Sequence, residues 1–173
     1  MIQDVQAIAK TTLANCAAFR TLTATADATA ALAKIYHDAW PVPASGGVSH
    51  SLAEITALRP SAIIYTEPDR GWTSQRDAMG DSTGNCWHHS GIIHMIIFRN
   101  VPTADKALPS KVDTDFRTVI GTILSELIAQ SETAGRLNSK RLTVSGPWRT
   151  EPKELKDIGD AQGCEIIVEW GPG

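Results

Sequence analysis

The sequence predicts an α+β domain: a mostly antiparallel sheet of about four strands, a long amphipathic helix packed on one face, and N-terminal helices, in the order ααββαββ. Three stretches carry that expectation. "DTDFRTVIGTILSELIAQSETAG" (Asp113–Gly135) repeats Phe116, Val119, Ile120, Ile123, Leu124, Leu127 and Ile128 at steps of three and four, as a helix with one buried stripe does. "GCEIIVEWG" places Cys164, Ile166, Val168 and Trp170 on one face of a strand and Glu165, Ile167 and Glu169 on the other. "GIIHMIIF" (Gly91–Phe98) is apolar on both faces, which suits a strand covered from two sides.

The elements follow in chain order. Ile2, Val5, Ile8, Leu13, Cys16 and Phe19 recur at helical spacing and predict a first helix. A second is expected over Asp27–Trp40, with Asp27 as N-cap, Leu32, Ile35, Tyr36 and Trp40 on its apolar side, and Pro41 and Pro43 ending it. "ASGGVSHS" is a loop, and "LAEITALRP" has no assignable conformation. "SAIIYTEP" (Ser61–Pro68) is a strand ending in a turn signal. A long polar, Gly-rich loop precedes the strand Cys86–Arg99. In the long helix Asp113 is placed to cap the start and Gly135 the end. Burying its seven apolar side chains contributes on the order of 10–20 kcal/mol before entropy is subtracted. "KRLTVSGPWR" and "GCEIIVEWG" close the chain as two strands.

At 173 residues, 42% apolar and 20% charged, the chain suits one globular domain over 1–173, with a helical region and loop over 1–57 and an α+β core over 58–173. A net charge of −3 lacks the basic excess of a nucleic-acid groove binder. The N-terminal segment lacks the pattern of a secretory signal, and no apolar run approaches the ~20 residues of a membrane span. Three widely spaced cysteines imply free thiols and manufacture in a reducing cytoplasm.

"GNCWHHSGIIHMIIFR" (Gly84–Arg99) raises the possibility of a metal centre, with Cys86, His88, His89 and His94 close in sequence. In a strand, His88 and His94 stand about 20 Å apart at ~3.3 Å per residue, too far to share one ion. Only Cys86 and His88 remain as a pair, as in a metal-dependent hydrolase, and they need partners such as His50, Asp160 or Cys164. The chain carries no HExxH, no paired CxxC, no nucleophile elbow around Ser145 or Ser90, and no P-loop ending after "MGDSTGN". The expectation is a protein without catalytic residues, metal or cofactor. His94 reads as a hydrogen-bonded core histidine. Because both faces of Ile92–Phe98 are apolar, a second layer is expected from the N-terminal helices, another subunit, or both.

The arrangement resembles the tail terminator proteins of long-tailed bacteriophages. The resemblance rests on "ALRPSAIIYTEP", on "NCWHHSGIIHMIIFR" after the long loop, on "FRTVIGTILSELI", and on the closing pair "RLTVSG" and "GCEIIVEW", spanning roughly Leu58–Trp170. The front of the chain departs from the pattern, with two helices and "WPVPASGG" where one helix is usual; that leaves room for another neck or head-completion protein, or for an assembly factor. The resemblance implies a non-enzymatic virion protein at the head–tail junction. It would form a homo-oligomeric ring, hexameric by expectation, between the tail tube protein and the connector or stopper, with DNA passing through the lumen without specific binding and no membrane involved. Interface residues are then expected at Trp72 and Trp148 as aromatic anchors, and at Arg70, Arg76 and Asp77 as partners in cross-subunit ion pairs.

Overall fold

The structure, a computed structural model, describes residues 2–43, 46, 49–66, 73–76, 87–102, 109–131, 133, 136–149 and 160–171. The chain is α+β, and its sheet is mixed. Five strands run in the order β1-β2-β4-β6-β5, and a sixth, β3, pairs with the first residues of β4. The strands are β1 (Ile35–His37), β2 (Ser61–Thr66), β3 (Thr73–Arg76), β4 (Trp87–Asn100), β5 (Ser139–Arg149) and β6 (Ala161–Trp170). All pairings are antiparallel except β1 with β2, which is parallel. Where about four strands are expected, the described residues form six. The helices are α1 (Ile2–Asn15), α2 (Ala17–Thr23), α3 (Ala28–Leu32), α4 (Leu52–Leu58) and α5 (Pro109–Gln130).

The first predicted helix is two. At Cys16 the backbone turns extended (φ −68°, ψ 119°), and α2 sets off in a new direction along α5, where the Ala18 N–H donates to Glu126 Oε2 at 3.1 Å. The expected helix over Asp27–Trp40 is corrected more strongly. Asp27 does cap, with Oδ1 accepting from the Ala30 N–H at 2.8 Å, but α3 ends at Leu32. Ile35–His37 instead pairs with Ala62–Ile64 and buries Ile35, and Asp38 (φ 61°) turns the chain away. Helical spacing loses here to strand pairing. A capping box at Ser51 and Glu54 starts α4 in the stretch left unassigned.

The long helix begins four residues before the expected cap, with Pro109 in the first helical position, where a missing N–H costs nothing. Asp113 lies inside the helix, and its Oδ1 accepts from Gln162 Nε2 at 2.7 Å. Gly135 lies outside the described residues. From α5, Phe116, Ile120, Ile123 and Leu127 enter the core with Leu13 and Phe19 of α1 and α2 and with Ile64, Ile93, Met95, Ile97, Ile166 and Val168 of the sheet. Ile128, expected in that stripe, is exposed. Arg99 closes one end of this layer: its guanidinium lies over the Phe116 ring at 4.6 Å, and its Nε donates to Gln162 Oε1 at 2.8 Å.

Candidate functional site

Register decides what each side of the sheet presents. Ala62↔Ile97↔Cys164 and Ile64↔Met95↔Ile166 are aligned across β2, β4 and β6, and all six side chains lie buried on the face carrying α1, α2 and α5. Residues one step along point the other way. That second face carries Ile63, Ile92, Ile96, Phe98 and Ile167, each only half-buried. Helices α1, α2 and α3 pack in the same layer as α5, so of the covers expected for this face, the N-terminal helices or another subunit, these three do not supply it. Among the described residues no helix crosses its centre.

At one end of that face an aromatic row forms. Trp40 sits at 5.4 Å from Phe98 and donates from Nε1 to Ser61 Oγ at 3.3 Å, and Trp148 meets Phe98 edge-on at 6.4 Å. The Trp148 indole occupies the space a side chain at Gly163 would fill: a Cβ there would lie 2.5 Å from the ring. Trp148 is nonetheless 43% exposed. Beyond Trp40 the row continues into a shallow groove of about 240 Å³ lined by Pro41, Val42, His50 and α4 residues.

At the centre of the face, two polar side chains converge on one carboxylate oxygen of a third. His94 Nδ1 lies 2.7 Å from Glu165 Oε1, the Tyr65 hydroxyl donates to the same atom at 3.0 Å, and the Tyr65 and His94 rings stack at 4.6 Å. Strand register creates the trio, since Tyr65↔His94 and Ile96↔Glu165 are paired across β2, β4 and β6. His94 is thus hydrogen-bonded as its surroundings led one to expect, and it is buried. The trio holds three strands in register, between apolar Ile63, Ile92, Ile96 and Ile167 on the same face.

The proposed metal partners are dispersed. His50 lies beside Trp40, while Cys164 is on the helix-covered face with its thiol directed to the Ser145 carbonyl at 3.5 Å. Cys86 and the His88 side chain lie outside the described part of the molecule. Among the described residues no three His, Cys, Asp or Glu side chains are placed to share an ion. Burial pushes the Cys16 thiol up to about 12, with the Glu126 carboxylate adding to the effect, and the Cys164 thiol up to about 11. Neither is an activated nucleophile.

Of the expected interface residues, Trp148 alone is fully described. Arg76 lies at the end of β3, paired with Trp87 of β4, while Arg70, Trp72 and Asp77 lie outside the described residues. Trp40, Phe98 and Gly163 were not foreseen as companions of Trp148, because only register brings them together. β3 and β4 add one more feature: beyond Gly91, where β6 ends, the partner of β4 among the described residues is β3, and the two continue as a two-stranded ribbon, an arm. No protein-family model matches the chain and no curated protein sequence is significantly similar to it, so its role is read from this fold and this face.

Proposed function

We propose that the chain is a structural assembly subunit: a ring-forming virion protein at a phage head–tail junction, of the tail terminator kind, which caps the tail tube and joins it to the neck. The observation that carries this reading is the unequal cover of the sheet. One face is sealed by helices, while the other leaves Ile63, Ile92, Ile96, Phe98, Ile167 and Trp148 half-buried or exposed. Apolar side chains left within reach of solvent on one face of a folded domain mark a candidate interaction site. The arm points the same way, since a two-stranded ribbon is marginally stable alone and gains stability by packing on a neighbour. The order from β2 through the arm and α5 to the closing pair β5 and β6 supports the resemblance to tail terminators.

In this reading the second face and the arm meet neighbouring copies and the adjoining tail tube ring, and the protein performs no chemistry. Electron microscopy of particles made with and without the gene tests it. The proposal expects the protein at the junction in wild-type particles, and tails of uncontrolled length, unattached to heads, when it is missing. Normal, attached tails without the protein would refute it.

A further inference from the structure

Four of the chain's 16 Lys and Arg, namely Arg136, Lys140, Arg141 and Arg149, fall between 136 and 149, and none of its 19 Asp and Glu does, although the whole chain carries −3. That segment is β5, the last strand of the sheet, and β6 is its only strand partner among the described residues. Lys140, Arg141, Thr143, Val144 and Ser145 are all exposed. An edge strand presents a row of unpaired N–H and C=O groups. Here the row is interrupted at both ends: register shifts fall between Ser139 and Arg141 and between Ser145 and Trp148, and Pro147 has no N–H to offer. Arg141–Ser145 keeps unbroken register between them.

We propose that this outer edge of β5 receives an extended acidic segment of a partner protein as an added strand. The side chains define what fits. Arg141, Thr143 and Ser145 stand on the face away from the helices, opposite Glu169, Ile167 and Glu165, and Leu142 and Val144 stand on the helix side, opposite Val168 and Ile166. So β5 already pairs on its inner side with a strand that sets Glu165 and Glu169 opposite its face away from the helices, with β-branched Ile166, Ile167 and Val168 between them. An edge strand's side chains serve both flanks, and the outer flank offers the same chemistry: cations on one face, an exposed Val144 on the other. The Arg141 side chain is 71% exposed and forms a long, solvent-facing ion pair with Glu169 at 3.7 Å, which leaves guanidinium N–H groups to engage a second carboxylate. A basic edge of this kind admits an acidic strand. The inference stands apart from the ring proposal, since it requires only β5.

The test uses the full chain and a short fluorescent peptide alternating glutamate with valine. Anisotropy is expected to rise saturably, with affinity falling as salt is added, and amide protection is expected to increase at 141–145. The double variant Lys140→Glu/Arg141→Glu, both at exposed positions, should weaken binding by about tenfold or more. A matching peptide alternating lysine with valine should not bind. Equal binding of a single-stranded oligonucleotide would show a general polyanion surface and overturn the inference, as would the absence of acidic-peptide binding or protection confined to another strand.

Discussion

Replacing Gly163 by alanine gives a sharp test of how the exposed aromatic row is built. The added Cβ would lie 2.5 Å from Trp148 Cζ2 and 2.6 Å from Cε2, separations no real contact tolerates, so the indole must leave its seat against Phe98. Overpacking of this kind costs about 1–3 kcal/mol. The lower entropy of alanine in the unfolded chain returns about 0.4–1 kcal/mol. The net expectation is a loss of about 1–2 kcal/mol, or a Tm lowered by roughly 2–4 °C for each kcal/mol in a chain of this size. Urea denaturation followed by circular dichroism measures it. The decisive comparison is the same change in a Trp148→Ala background, where nothing occupies the space and alanine should be neutral or stabilising by up to about 1 kcal/mol. An equal loss in both backgrounds would refute the placement of Trp148 over Gly163.

Other expectations follow from named contacts. Glu165→Leu removes the oxygen shared by His94 and Tyr65 and should destabilise by about 1–3 kcal/mol in the same denaturation assay, whereas Glu165→Gln, which keeps an acceptor, should cost less. Gln162→Leu separates Arg99 from Asp113 in a buried setting and should cost about 2 kcal/mol or more by thermal melting. In a Cys86→Ser background, Cys16 and Cys164 should react with a thiol reagent at pH 8 only as fast as the protein opens, and at once when unfolded. Their folded pKa values lie above the ordinary value of 9.0, so the unfolded chain holds fewer protons above that pH. Stability should therefore be unaffected by these thiols below about pH 9 and fall as the pH rises from there towards 11 and 12.

The sequence displayed α5 and β6 plainly, because a stripe at three-and-four spacing and an alternating strand follow from which side each residue buries. It concealed β1 and β3. Leu32, Ile35, Tyr36 and Trp40 fit a helix as well as Ile35–His37 fits a strand, and the parallel seat beside Ala62–Ile64, invisible locally, decides the matter. β3 reads "TSQR", with no apolar alternation, and exists through its pairing with Trp87–Ser90. The apolar character of both sides of Ile92–Phe98 was legible, but not that α1, α2 and α3 would join α5 on one side. For the site, Trp148 could be singled out by type and setting. Its seat on Gly163 and the Tyr65–His94–Glu165 convergence depend on register across strands up to 100 residues apart in sequence.

Sedimentation velocity of the native chain beside Ile96→Glu tests most directly whether the half-covered face is where copies meet. Ile96 projects there, half-buried and directly opposite Glu165, so a carboxylate costs some stability through like-charge repulsion, circular dichroism checks that the variant is folded, and the added charge disfavours contact with another apolar surface. The account predicts a ring-sized species that grows with concentration for the native protein and a folded monomer for the variant. A native protein that stays monomeric at every concentration, or a variant that assembles equally well, would contradict it.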